Sequence, residues 1–439
     1  NRLVAEQDEN RHRLNEWIYT KYDRYGRIAL TGIIKEDTGK SRHEIQQEIN
    51  KLGNNNVSRD SYGFIHEGLK VYYNQAGFGA DNTILTINYY DDYPMMKDGV
   101  DWKSKVFNQT LAIDDQLKGL PTLTIVRSLE TKENNQSNFE FNYVFYENKE
   151  LRAVKSHQIN FLGGSTIVER DLDFRGKILE TVTVHQRTQH ATPIKITEAF
   201  SYEDFERLIL HTHQINDGKV ELLTHNTYND IGQLVGKSIG NTIESPNQEI
   251  DYAYNIRGWL VKINDIANLK NDLFAFKLNY NIKTETLMSD FTPELYNGNV
   301  AQTLWISQAN SFLRSYDYRY DELNQLTDAY YSNISKNIIG AYDKKLTYDA
   351  NGNILTLKRY GGSEKKTPTL IDDLVYTYEN SGKSNQLQKV NDSSISEGFH
   401  DVNKGNDYAY DGNGNLVRDL NKGITQISYN YLDLPTEVV

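Results

Sequence analysis

Few side chains in this sequence stand at spacings that could do chemistry. Asp411-Gly-Asn413-Gly-Asn415 sets side-chain oxygens at alternate positions, as a calcium loop does at its start. Such a loop then needs Gly at its sixth position and Glu at its twelfth; Leu416 stands at the sixth and no Glu at the twelfth. His211-Thr-His213 puts two imidazoles on one face of a strand, a spacing compatible with zinc. No third ligand is close in sequence, and Asp217 would need a bend to reach. Gly163-Gly164-Ser165 lacks the flanking pattern of a nucleophile elbow. Trp259 and Trp305, among many tyrosines, could offer a sugar-stacking surface, although a Tyr on a period-two strand equally builds a wall. The 60 Asp and Glu residues mostly recur in turns, where capping accounts for them. The expectation is a chain with no catalytic residue, no metal site and no cofactor.

The elements that would position these groups come from one recurring seven-residue phrase: Tyr, Asp or Asn, two variable residues, Gly or Asn, one variable residue, then Ile or Leu. It reads Tyr22-Asp-Arg-Tyr-Gly-Arg-Ile28, Tyr228-Asn-Asp-Ile-Gly-Gln-Leu234, Tyr254-Asn-Ile-Arg-Gly-Trp-Leu260, Tyr320-Asp-Glu-Leu-Asn-Gln-Leu326, Tyr348-Asp-Ala-Asn-Gly-Asn-Ile354 and Tyr410-Asp-Gly-Asn-Gly-Asn-Leu416. The second position holds Asp23, Asn229, Asn255, Asp321, Asp349 and Asp411, whose side chains can cap a turn. The fifth holds Gly26, Gly232, Gly258, Asn324, Gly352 and Gly414, where a positive φ costs Gly nothing and Asn little. Alternating Tyr-x-Tyr before the turn, as at Tyr252/Tyr254 and Tyr408/Tyr410, marks a strand, and the closing Ile or Leu begins its return. Each phrase is thus a β-hairpin turn, and neighbouring hairpins must pair edge to edge. Residues that recur in every repeat build the frame.

Weaker copies fill the gaps. Leu172-Asp-Phe-Arg-Gly-Lys-Ile178 loses the Tyr, Tyr202-Glu-Asp-Phe-Glu-Arg-Leu208 loses the Gly, and the phrase opened by Tyr378 delays its aliphatic residue to Leu387. Tyr429-Asn-Tyr-Leu-Asp-Leu-Pro435 is another variant. Successive copies lie 26–32 residues apart, enough for two strands and two connections, and a period of that size means a repeat architecture. The expected fold is all-β: antiparallel hairpin repeats spiralling into a solenoid-like hollow shell. The regular part is 166–439; 1–165 is less regular, with insertions, a strand over 83–90, a turn at Asp91-Asp92-Tyr93-Pro94 and a short helix over 41–52. Segments 132–138, 361–367 and 392–398 read as exposed loops.

A net charge of −12, without a basic stripe, argues against nucleic acid, and no apolar run is long enough for a membrane helix. The absence of cysteine excludes disulfides and thiolate metal sites. The first residue is Asn, so the chain is expected to be an excised or processed piece.

The Tyr-Asp-x-x-Gly-x-Leu phrase resembles that of the YD-repeat, or RHS, family. The longer phrases QEIDYAYNIRGWLVKIN (248–264), YNGNVAQTLW (296–305) and YAYDGNGNLVRDLNKGITQISYNYLDLP (408–435) look like a bacterial branch associated with type IX secretion and polymorphic toxins. The resemblance covers 170–439 strongly and 1–170 more loosely. It implies a secreted or cell-surface β-shell that encloses and delivers a C-terminal toxin. Its partners would be the rest of the same polypeptide (core segment and toxin tail) and secretion-channel components. Neither the self-cleaving core nor the toxin maps onto any residue here. The alternative is a cell-surface carbohydrate-binding or adhesion module.

Overall fold

Runs of Tyr, Thr, Val and Ile with period-two burial form strands, and the polar phrases between them turn the chain back on itself. The computed structural model describes all residues except 1, 36–38, 54–55, 79–82, 95–99, 101, 129–138, 288–293, 362–363, 365–366, 395–396 and 403. The expected loop 132–138 therefore lies outside the described residues, as does part of 361–367 and of 392–398. The fold is all-β and built of antiparallel hairpins, as the repeat implies.

The contacts divide the chain into two units, 1–225 with 240–245 and 226–239 with 246–439. In the first, strands Glu16–Tyr22, Ile28–Lys35, Thr83–Tyr90, Pro121–Arg127, Phe139–Tyr146 and Ala153–Ile159 each pair with the next. Gly163–Leu172, Ile178–Thr188, Ile194–Tyr202 and Leu208–Ile215 continue the series. Ile87, Tyr89, Leu123, Ile125, Tyr143 and Phe145 form its core, together with Val71 and Tyr73 from an inserted hairpin. The helix Arg42–Leu52 begins at a Ser41/Glu44 capping box and buries Ile45 against Trp17, Tyr19 and Ile34.

In the second unit, Pro246–Tyr254, Leu260–Ile263, Phe274–Asn279, Gln302–Ser307, Arg314–Tyr320 and Leu326–Asn333 pair in sequence. Lys344–Tyr348, Ile354–Gly361, Thr369–Tyr378 and Leu387–Asp392 follow. Two further hairpins, Tyr408–Tyr410 with Leu416–Asp419 and Ile427–Tyr429 with Pro435–Val438, are separate two-stranded sheets.

One register slip recurs beside the turns. Tyr22 pairs with Ile28 but Lys21 with Leu30, leaving Ala29 as an extra residue. The same step leaves out Leu179, Ile209, Val261, Thr327, Leu355, Gln388, Val417 and Thr436. A bulge bends its strand and adds right-handed twist, so each hairpin carries its own increment of curvature.

Two expectations need correction. Asp91-Asp92-Tyr93-Pro94 is not a closed turn. Tyr90 pairs with Pro121, Asp91 N–H donates to Leu120 O (3.1 Å), and Gly119 N–H donates to the Asp91 carboxylate (2.7 Å). The phrase opens at Tyr90-Asp91 and closes at Gly119-Leu120-Pro121, with the insertion held inside its own turn. In 361–367, Gly361 ends a strand and is buried, and the Glu364 side chain accepts from Arg314, Tyr331 and Asn333. Glu364 is held there because it partners Arg314 and the buried Asn333. In 392–398, Ser393, Glu397 and Gly398 are exposed, as expected of a loop.

Candidate functional site

The repeated residues converge on the row of turns along each unit. At Asp349, Oδ1 accepts from the Asn351 and Asn353 N–H groups (2.8 Å each) while the Asp349 carbonyl accepts from Gly352 N–H (3.1 Å). Asp23, Asn229, Asn255, Asp321 and Asp411 accept from the residues two and four further on in the same way. This is a type I turn closed by a left-handed residue. φ is +85° at Gly26, +84° at Gly232, +79° at Gly258, +63° at Asn324, +86° at Gly352 and +90° at Gly414. Glu206 (+65°) and Asp433 (+56°) take the same position in the weaker copies.

The Tyr at the first position does more than line a strand. Its hydroxyl donates to the carbonyl at the seventh position of the preceding turn. In the second unit Tyr320 reaches Val300 (3.0 Å), Tyr348 reaches Leu326 (2.8 Å), Tyr378 reaches Ile354 (3.0 Å), Tyr410 reaches Leu387 (3.0 Å) and Tyr429 reaches Leu416 (2.8 Å). In the first unit Tyr90 reaches Ile28 (3.1 Å), Tyr146 reaches Pro121 (2.7 Å) and Tyr202 reaches Ile178 (3.0 Å). Leu172 has no hydroxyl to offer. There the Arg152 guanidinium, from the previous turn, donates to Asp173 O (3.0 Å) and Phe174 O (3.3 Å). Arg2 and Leu3 stand as the sixth and seventh residues of such a turn would: Tyr22 donates to Leu3 O (2.8 Å), and Arg2 lies over Gly26.

Sequence reading missed two members, the turns opened by Tyr146 and by Tyr280. Tyr280 donates to Leu260 O (3.0 Å), and its turn closes only at Gly298-Asn299-Val300, where φ of Gly298 is +101°. The signal was present, since Tyr280 lies 26 residues after Tyr254, as Tyr254 does after Tyr228. An insertion inside the turn hid it.

Adjacent turns also read one another through side chains. Arg175 and Lys177, at the fourth and sixth positions, both hold the Glu206 carboxylate at the next fifth position (2.9 and 3.3 Å). Asn297 and Asn299 donate to Asn324 Oδ1 (2.6 and 3.1 Å), and Asn413 and Asn415 to Asp433 Oδ1 (3.3 and 2.8 Å). Asn351 and Asn353 meet Asn385 in the expanded turn (3.4 and 2.9 Å). Where the fifth residue is Gly, the preceding sixth side chain closes over it: a Cβ on Gly352 would lie 2.9 Å from Gln325 Nε2. Arg27 links two turns, pairing with Asp23 and bidentately with Asp91 (2.7 and 2.6 Å), which holds the Asp91 carboxyl below the usual range.

No protein-family model matches the chain, and no curated protein is similar to it in sequence. Among solved structures it is similar to a crystal structure of TcdB2-TccC3-Cdc42, at 15% identity and TM-score 0.39. It is also similar to the Tc holotoxin pore of Photorhabdus luminescens, at 14% identity and TM-score 0.42. Both alignments cover 96% of this chain but 20% of the other, so the chain spans about a fifth of their length. A porin-like protein from Bacteroides uniformis aligns over 53% of this chain and 86% of its own, at 14% identity and TM-score 0.18. The resemblance to the YD-repeat family and its type IX branch accordingly rests on the quoted motifs.

The chemical candidates are placed as follows. Asp411 spends Oδ1 on turn N–H groups and Oδ2 on Asn415 Nδ2 (3.0 Å), with its carboxyl held low by the Asn415 side chain and those N–H groups. His211 meets Glu198 (3.1 Å) on one neighbouring strand and stacks on Phe200, whereas His213 meets Glu221 (3.0 Å) on the other. Among the described residues no three His, Asp or Glu groups could share a metal ion. Gly164 lies against Gln186 O inside a strand pair, with no room for a nucleophile elbow. Trp259 is half-buried beside Tyr280, and Trp305 is stacked on Tyr316. Among the described residues no helix is long and apolar enough to cross a membrane.

One buried polar row crosses the second unit. Asn279 donates to Gln302 Oε1 (2.7 Å), and Gln302 Nε2 donates to Asp317 Oδ1 (3.2 Å), on consecutive strands in register. Asp317 is fully buried, and burial pushes its carboxyl up to about 6 despite donors on Thr286 and Gln302. Thr284 N–H donates to Gln302 Oε1 (3.2 Å) and Thr286 Oγ1 to Asp317 Oδ2 (3.3 Å), tying the row to the connection after Tyr280. A small polar cleft of about 250 Å³, lined by Glu379, Gln386, Gln388, Tyr408, Tyr410 and Arg418, opens where Leu387–Asp392 and Tyr408–Tyr410 part.

Proposed function

We propose that this chain is a stretch of the wall of a secreted RHS/YD-repeat protein, whose shell encloses and delivers a C-terminal toxin segment of the same polypeptide. The observation that carries this reading is how the repeated residues are spent. In most turns Tyr fastens the turn to the one before, Asp or Asn satisfies its N–H groups, and Gly (Asn324, Glu206 or Asp433 in three copies) supplies the positive φ. Recurrent polar groups that bond one another join successive repeats into a continuous wall, which an enclosure needs. The bulge beside each turn supplies the curvature an enclosing sheet needs. The resemblance of the repeated phrases adds the cargo, a secretion-channel partner of type IX kind and a location outside the cell or on its surface. The wall itself is not an enzyme on this reading.

Protease protection tests it. The toxin segment of the parent polypeptide should survive trypsin when produced with this wall and be digested when produced without it. Equal digestion in both preparations would refute enclosure.

A second reading, an adhesion or carbohydrate-binding module, draws on the turn tips. Phe174 and Phe205 in the first unit, and Ile256 and Tyr431 in the second, are largely exposed. Glycan-array binding that disappears with Phe174→Ala and Phe205→Ala would favour it over enclosure.

A further inference from the structure

The junction between the strand Leu387–Asp392 and the hairpin of Tyr408–Tyr410 with Leu416–Asp419 is out of step with an earlier one. Between Gln302–Ser307 and Arg314–Tyr320, the Tyr320 hydroxyl reaches Val300 O and the Tyr318 N–H donates to Ala301 O (2.9 Å). Strand pairing then runs on from Gln302 and Asp317. At the later junction the Tyr410 hydroxyl reaches Leu387 O in the same way, but Gln388 O accepts from Asp407 N–H (2.9 Å), one residue before Tyr408. The buried Asp407 carboxylate then takes the Val390 N–H (2.8 Å), which a strand carbonyl holds in a regular ladder. With a side chain standing in the ladder, the strands part and the hairpin forms its own two-stranded sheet.

The cleft left between them holds about 250 Å³ and is lined by polar side chains and two tyrosines. One donor in it is unspent. Arg418 Nε is buried without a hydrogen-bond partner, and Nη2 makes a long contact, 3.4 Å, to Asn406 O. Folded proteins seldom leave such a donor unpaired, because its desolvation is not returned. Among the described residues that line the cleft, only Glu379 and Arg418 are charged, and they cancel, so it favours neither an anion nor a cation. Gln386 and Gln388 each bring a carbonyl acceptor and two N–H donors. A neutral molecule whose groups both donate and accept at short intervals matches this set, as the hydroxyls of a sugar ring do. Tyr408 and Tyr410 add aromatic surface for its C–H face. Cavities for drug-sized ligands span roughly 300–1,000 Å³, so this cleft has room for a single ring.

We propose that the cleft between Leu387–Asp392 and Tyr408–Tyr410 is a binding site for one neutral sugar ring, with Arg418, Gln388 and Glu379 on its hydroxyls. The site needs neither an enclosed toxin nor the exposed tips Phe174 and Phe205, which belong to the first unit.

Saturation-transfer difference NMR on the full chain tests it, with D-glucose, D-galactose and N-acetyl-D-glucosamine at millimolar concentration. At least one of the three should receive saturation, whereas acetate and methylammonium should not. Arg418→Met should weaken that binding by about tenfold or more, the loss expected of a hydrogen bond from a charged donor. Gln388→Leu, on the opposite wall, should weaken it without touching the contact between Arg418 and Asn406. Ala409→Leu, which fills the cleft and keeps every polar group, should abolish it, and Phe174→Ala should leave it unchanged. Urea midpoints establish that each variant is folded. No transfer to any of the three sugars would overturn the proposal, as would binding that survives both Arg418→Met and Ala409→Leu. Transfer to acetate or methylammonium would overturn the ligand class, and loss of binding with Phe174→Ala would overturn the place. None of these outcomes bears on whether a toxin segment is enclosed.

Discussion

The tyrosine latch can be weighed by removing one oxygen atom. Tyr348→Phe keeps the ring in its half-buried place and deletes only the hydroxyl that donates to Leu326 O at 2.8 Å. A hydrogen bond of this kind contributes ~1 kcal/mol net, with a spread of about 0.5–1.5. Successive turns lie two strands apart, roughly 10 Å, far enough for such losses to add. Changing Tyr320, Tyr348, Tyr378, Tyr410 and Tyr429 together to Phe should therefore remove about 5 kcal/mol, comparable with the whole stability of many domains. The assay is urea unfolding followed by the fluorescence of Trp259 and Trp305, both in the second unit. Tyr431→Phe is the control, because Tyr431 is 77% exposed at a turn tip and its loss should be below about 0.3 kcal/mol. If Tyr348→Phe matched that control, or the fivefold variant lost less than about 1 kcal/mol, the latch would be incidental to the wall.

Other outcomes follow from the same geometry. Gly352→Val should cost roughly 1–3 kcal/mol in thermal melting, since a β-branched residue is strained at φ +86°. Its Cβ would also press on Gln325, whereas Ala350→Val at a variable site of the same turn should cost little. Asp317 has a folded pKa raised from 3.8 to about 6, so the native state binds the extra proton between those values. Stability should fall as pH rises from about 4 to 6 and level off above, by up to roughly 3 kcal/mol. Asp317→Asn should abolish that slope in pH-dependent urea midpoints. Glu364 runs the other way. Although burial raises its carboxyl, donors on Arg314, Tyr331 and Asn333 hold it at about 2, so its contribution should be lost as pH falls from about 4.5 towards 2. The purified chain should turn over no peptidoglycan, nucleic-acid or peptide substrate; turnover removed by mutating a single acidic residue would refute the reading of a wall without catalysis.

The local frame was legible in the sequence because it is made by neighbours. A capping Asp or Asn, a left-handed Gly and period-two aromatics act within seven residues, so chain order alone implies hairpins and antiparallel β. Helix 42–52 was legible for the same reason, with Ile45 and Ile49 one turn apart in a polar stretch; its Ser41/Glu44 capping box came with the structure. Where the turns interrupted by insertions close was not legible. Tyr90 and Tyr280 open turns that close 31 and 20 residues later, and only strand pairing shows that Pro121 and Val300 complete them. The function of the Tyr hydroxyl was hidden too, because its acceptor belongs to another repeat. So was the matching of fourth and sixth positions to the next fifth, for the variable residues look random until turns are stacked. Side chains that bond within a turn are determined by the sequence itself. Those that bond between turns are decided by tertiary structure, because only folding brings residues 13 to 64 positions apart within hydrogen-bonding distance.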